Sequence, residues 1–353
     1  MSGTSLTEVA RAGGVSLATA SRVLNPNNEH PVSDEVRARV MAAAASLNYS
    51  VNALARGLKV KRTNVVAVIV HDFVDPFFNT VARGVTDAAE AAGYLTVLCN
   101  SSRDPDKELR YVQLAQQQRV AGVLFVGGGL TSRSYRDAMR QQVATLRSYG
   151  AHAIALEPRG SRMPAEIPDN RGGARTATDH LVALGHERIA FIDGPAQVLT
   201  SRERLRGYKD GLEAAGLAFD ERLVASGGFT EDGGRAALVR LLDSGAAFSA
   251  VFASNDAMAI GCMVELRTRG LAIPRDVSLV GFDDVPTVRW FDPPLTTVRV
   301  PMEEIGAAGV ARLLALLDAD GGEEPGGRLV NVHPTELVVR ASTAPPRARK
   351  GRA

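Results

Sequence analysis

The chain has 353 residues, 45% of them apolar, and a formal net charge of +2. That length suits a small head with a larger body, and the near-neutral balance and ordinary apolar content exclude a polycation and a disordered chain. No apolar run approaches the ~18 residues of a membrane span, and Met1-Ser2-Gly3-Thr4 lacks the basic and apolar regions of an export signal, so the expected location is the cytoplasm.

Ser5-x-x-Glu8 has the form of a capping box, in which the serine hydroxyl accepts from the Glu8 amide and Glu8 reaches back. It opens a short helix whose Leu6, Val9 and Ala10 face inward, and Gly13-Gly14 ends that helix. Val15 fills the turn, Ser16 caps a second helix running to about Asn25, and Ala20, Val23 and Leu24 form its apolar face. Two short helices joined by a tight glycine turn have helix-turn-helix spacing. A third helix is predicted after Ser33, with Val36, Val40, Ala43, Ala44 and Leu47 at helical period. Through residue 62, eight Arg and Lys stand against four Asp and Glu, leaving +4 on this head and −2 on the remainder. A basic head on a near-neutral body suits a DNA reader carried by a sensor.

The body opens with Val65–Val70, a continuous apolar run of the kind buried on both faces of a parallel sheet. A helix over 82–92, a strand over 95–99, a helix over 109–118 and a strand over 122–126 follow, and strand and helix keep alternating through 278–282. Such alternation predicts parallel sheets wrapped by helices. Two such units in series give two lobes, with ligands expected beyond the carboxyl ends of the strands. Cys99 and Cys262 lie in or beside apolar runs and read as buried, reduced thiols. The tail, with Pro345-Pro346 and four basic residues beyond them, is expected to be disordered.

The head resembles the LacI/GalR (lactose-repressor) family. The residues that carry this are Val9-Ala10, Gly14-Val15-Ser16, Thr19, Ser21-Arg22-Val23-Leu24-Asn25, Val32-Ser33, Arg37, Val40, Leu47-Asn48-Tyr49, Asn52, Ala55-Arg56 and Leu58. The body is similar to the same family at Asp75-Pro76-Phe77-Phe78, Gly185-His186, Arg204-Leu205-Arg206-Gly207-Tyr208, Ser254-Asn255-Asp256, Val280-Gly281-Phe282-Asp283-Asp284 and Leu295-Thr296-Thr297-Val298. The resemblance implies an α/β protein with a helix-turn-helix head, a hinge helix and a two-lobed, periplasmic-binding-protein-like body. The expected boundaries are 4–51 for the DNA-binding domain, 52–62 for the hinge and linker, 63–340 for the effector-binding and dimerisation body, and 341–353 for the basic tail.

In that family the second helix enters the major groove. Leu17, Ala18 and Arg22 then face base edges, with Arg22 able to donate twice to a guanine. Ser16, Thr19, Ser21, Asn25, Ser33, Tyr49 and Asn52 are candidates for phosphate contacts, which position without reading sequence. Ala55, Leu58 and Lys59 belong to the minor-groove hinge, where Leu58 would wedge between base pairs. Val51 stands where the family usually has a proline, and the loop Asn25–Pro31 is slightly longer than usual.

For the effector, the resemblance implies Arg204, Asn255 and Asp283 as polar anchors, with Asp75 and Asp169 beside them and Phe77, Phe78 and Phe229 packing on a sugar ring. Val300 stands where many sugar-responsive members place a glutamine, and Glu157 or His71 could supply a substitute. The implied partners are a pseudo-palindromic duplex operator, a small effector of the sugar type and a second copy of the chain. No cofactor or metal is implied. Gly127-Gly128-Gly129 is not a nucleotide-binding loop, there is neither a G-x-S-x-G elbow nor an H-E-x-x-H, and the six histidines lack ligand spacing, so catalysis is not expected.

Overall fold

The computed structural model describes residues 4–24, 32–49, 62–160, 163–319 and 328–347. The chain divides into two compact units, residues 1–63 and 64–353. In the first, α1 (Leu6–Ala12), α2 (Leu17–Val23) and α3 (Asp34–Ser46) surround a small core of Val9, Ala10, Ala20, Val23, Val40, Ala43 and Ala44. The capping box forms, with the Ser5 amide donating to Glu8 Oε2 at 2.7 Å. Gly14 adopts φ +61° in the turn between α1 and α2, a left-handed conformation that favours glycine.

The second unit holds two six-stranded sheets. The first contains β1 (Val65–Val70), β2 (Leu95–Asn100), β3 (Gly122–Val126), β4 (His152–Ala155), β5 (Ala165–Pro168) and β11 (Val330–His333), in the order β11-β5-β4-β3-β1-β2. The second contains β6 (Ile189–Asp193), β7 (Val224–Ser226), β8 (Ala250–Ala253), β9 (Ser278–Asp283), β10 (Thr296–Arg299) and β12 (Glu336–Val338), in the order β12-β10-β9-β8-β6-β7. Pairing is parallel except for β12, which runs antiparallel to β10. The central strands β3, β6, β8 and β9 are buried along their whole length, and apart from Ser278, Asp193 and Asp283 at the ends of β9 and β6 they carry no polar side chain.

Helices cover the sheets: α4 (Pro76–Ala91), α5 (Pro105–Gln117) and α6 (Arg133–Arg147) in the first lobe, and α7 (Asn170–Ala183), α8 (Leu199–Ala214), α9 (Glu231–Asp243) and α10 (Asp256–Thr268) in the second. The helix expected at 82–92 starts at Pro76 instead. Asp75 caps it by accepting from the Phe77 amide at 3.0 Å, and proline suits a first turn, where no amide is needed.

The two lobes are not simply in series. After β10 the chain returns to the first lobe as α11 (Met302–Asp318), which packs on α4, β4 and β5, adds β11 to the first sheet, and crosses again to place β12 in the second. With the passage from β5 to α7, three connections join the lobes. The α4–α11 contact is close: a Cβ on Gly84 would lie 2.2 Å from the Glu303 carbonyl oxygen, so only glycine lets the two backbones meet there.

The C-terminal segment also departs from expectation. Ser342 is fully buried, accepts from the Thr296 amide and donates to the Leu279 carbonyl at 2.6 Å. Ala344 pairs with Ser278, and Arg347 reaches Asp276 at 2.8 Å. Residues 341–347 are therefore held by bonds to β9, to β10 and to the residues before each, not a disordered tail; positions 348–353 lie outside the described residues. Cys262 is buried, whereas Cys99 is only half-buried because β2 is an edge strand.

Candidate functional site

In the head, Ser16 caps α2 by accepting from the Thr19 amide at 3.1 Å. Ala20 and Val23 turn inward, which leaves Ser16, Leu17, Ala18, Ser21 and Arg22 exposed together, with Thr19 half-covered. Leu17 is 52% exposed on this face. Ser33 precedes α3 without a side-chain capping bond, so its hydroxyl is not spent on the helix, and Tyr49 is half-buried after the left-handed Asn48. Asn25, Asn52, Ala55, Leu58 and Lys59 lie outside the described residues.

In the body, a cavity opens between the two lobes at the carboxyl ends of both sheets, where open α/β folds place ligands. It contains about 380 Å³ of non-atom space, part of it open to solvent. His71, Asp75, Phe77, Phe78, Arg103, Gly127 and Glu157 come from the ends of β1 to β4. Thr200, Arg204, Phe229, Asn255 and Asp283 come from the second lobe.

Arg204 is the hub. It is 3% exposed, and its Nη2 donates to Asp283 Oδ1 at 3.0 Å, Nη1 to the Ser254 carbonyl at 2.5 Å and Nε to Asn170 Oδ1 at 2.8 Å. Its guanidinium lies 3.8 Å from the centre of the Phe282 ring. Asp283 takes φ +113° and Asp284 φ +56°, so the two carboxylates part: Asp283 faces the cavity, while Asp284 pairs with Arg299 at 2.9 Å and Arg340 at 2.6 Å. Burial pushes the Asp283 carboxyl well above its usual range, and the Arg204 guanidinium pulls the other way.

Beneath this turn, Asp256 is fully buried. It accepts from the Thr297 hydroxyl at 2.6 Å and the Val285 amide at 2.9 Å, and burial raises its pKa to about 7. Asn255 is both cap and cavity wall, since its Oδ1 accepts from the Met258 amide at 2.9 Å. Asp75 is likewise both, and burial raises its pKa. His71 is held neutral by burial, which lowers its pKa to about 4.

Asp169 is a correction. It lies away from this cavity and caps α7, accepting from the Gly172 amide at 2.8 Å, so its carboxylate is used by the helix start. Val300 is buried, and it does not line the cavity. Arg103 and Thr200 were not expected. Arg103 sits in a left-handed turn, φ +60°, that carries its guanidinium to 5.7 Å from the Phe78 ring and 5.6 Å from that of Phe229, on the opposite lobe. Strand and helix periodicity carries no trace of that turn.

A helix-turn-helix head in one chain with a two-lobed, cleft-bearing α/β body defines a ligand-responsive, DNA-binding transcriptional regulator. Comparison with known proteins agrees. Residues 5–52 match the model of bacterial regulatory proteins of the lacI family, and residues 178–343 match a periplasmic binding protein-like domain. The HTH-type transcriptional regulator DegA of Bacillus subtilis is 34% identical across 97% of this chain and 98% of its own. The chain belongs to the lacI family. Among solved structures, the lac repressor dimer bound to operator and the anti-inducer ONPF matches with a TM-score of 0.70 or better, at 0.83, with 27% identity across 97% of this chain and 100% of that one. A CelR–cellobiose complex matches at TM-score 0.70 with 34% identity, across 96% of this chain and 99% of that one.

Proposed function

We propose that the chain is a repressor that grips a pseudo-palindromic operator as a homodimer, and that a sugar lodged between the lobes sets the strength of that grip. The observation that carries the effector half is the buried Arg204–Asp283 pair, set with Asp75 and Asn255 among the rings of Phe77, Phe78 and Phe229. A few polar anchors among aromatic walls fit a molecule with hydroxyls on its edge and apolar ring faces.

Arg22, Leu17 and Ala18 meet the bases in this reading. Ser16, Thr19, Ser21, Asn25, Ser33, Tyr49 and Asn52 hold phosphates, and Ala55, Leu58 and Lys59 work in the minor groove. The division of labour follows 4–51 for DNA binding, 52–62 for the hinge and 63–340 for sensing and pairing. Edge strand β2 exposes Leu95, Val97 and Leu98, an apolar row suited to cover by a second copy. In this reading the protein works on chromosomal DNA in the cytoplasm and acts by binding, without turnover of the sugar.

The test is a mobility-shift assay on the region upstream of its own gene, with and without a panel of sugars. The expected result is a specific complex that one sugar weakens. A complex no tighter than that on shuffled DNA, with every sugar, would overturn the proposal.

A further inference from the structure

Glu157 stands apart from the other acids of the cleft. It projects from the segment after β4, is 1% exposed, and lines the cavity. Its Oε2 accepts from the Thr200 hydroxyl at 2.8 Å and from Asn170 Nδ2 at 3.3 Å, both on the second lobe. Its Oε1 is buried with no hydrogen-bond partner among the described residues. A buried polar atom left without a partner is destabilising, so a group that supplies one is favoured there.

The charges around it narrow what that group is. Asp75, Glu157 and Asp283 line the cavity against Arg103 and Arg204, one carboxylate in excess. Arg204 is already engaged by Asp283, Asn170 and the Ser254 carbonyl, and Arg103 is drawn toward Asp75 and the rings of Phe78 and Phe229. Neither arginine is hydrogen-bonded to Glu157, whose partners are Thr200 and Asn170. A hydroxyl suits the site in either protonation state of Glu157, because it both donates and accepts. Against an ionised Glu157, a phosphate or carboxylate would be desolvated next to a like charge.

We propose that Glu157 is a specificity-determining residue: the effector is an uncharged sugar that sets a hydroxyl on Glu157 Oε1, and phosphorylated or acidic sugars are rejected there. This rests on the cleft being the effector site. Full-length protein is titrated with glucose and ribose and with their anionic counterparts, glucose 6-phosphate and glucuronate for glucose and ribose 5-phosphate for ribose, by thermal shift followed by calorimetry. A neutral member is expected to bind at least tenfold more tightly than its anionic counterpart. Glu157→Gln keeps an acceptor for Thr200 and Asn170 and should narrow that gap by tenfold or more. Glu157→Leu should weaken the neutral sugar by tenfold or more, with folding checked by circular dichroism. An anionic counterpart that binds the wild type as tightly as its parent, or a gap unchanged in folded Glu157→Gln, overturns the assignment. Absence of any binder overturns the sugar reading itself, and this inference with it.

Discussion

Replacing Asp256 with asparagine should make the protein more stable, and only at the right pH. The carboxyl is fully buried, and its pKa rises from 3.8 to about 7, chiefly through desolvation. Because the folded-state value lies above the unfolded one, the folded protein binds the extra proton. Stability from this group is therefore intact below about pH 4, falls as pH rises from there to about 7, and stays lowered above it. Each pKa unit corresponds to about 1.4 kcal/mol, so the full shift is worth at most ~4 kcal/mol.

Asparagine is nearly isosteric and never ionises. Its oxygen can accept from the Val285 amide, and its amide can donate to Thr297 once that hydroxyl rotates to accept, so both contacts survive. Asp256→Asn is thus expected to match the wild type within about 1 kcal/mol at pH 4 and to exceed it by about 2–4 kcal/mol at pH 8. Urea unfolding of both proteins across that range measures the difference, in which contributions from titrating groups not coupled to Asp256, such as Asp193, cancel. A gap of equal size at both ends of the range, or a variant less stable at pH 8, would refute the reasoning.

Arg22→Ala should lose about 1–3 kcal/mol on the operator and much less on random DNA, read by fluorescence anisotropy; equal losses on both would remove Arg22 from base reading. Asp283→Ala should abolish the sugar response while sugar-free operator binding persists, as followed by calorimetry and mobility shift. A surviving response would place the ligand elsewhere. Gly84→Ala forces a methyl against the Glu303 backbone and should cost about 1–3 kcal/mol, seen as a lower melting temperature; an unchanged melt would mean that α4 and α11 separate freely.

Much of this was legible in the sequence because the signals are local. The capping box at Ser5, the glycine turn at Gly14 and the apolar run Val65–Val70 each depend on residues a few positions apart. Seven of the eight expected effector residues do line the cleft, with Asp169 the exception. Asp169, Asp75 and Asn255 all cap helices, and a cap reads the same whether or not a cavity lies beyond it. Which carboxylates share a cavity depends on how two sheets meet, a non-local fact. The same holds for β11 and β12, whose neighbours lie some 165 and 40 positions away in the chain. It holds for Ser342 too, whose partners Leu279 and Thr296 give residues 341–347 an order that composition alone does not reveal.

The triple connection between the lobes has a mechanical corollary. The polypeptide that leaves the head enters the body through β1, an interior strand of the first sheet. The far lobe, by contrast, is joined to the near lobe by those three crossings and follows it in the chain. Three crossings between the lobes restrain sliding of one on the other more than a single linker would.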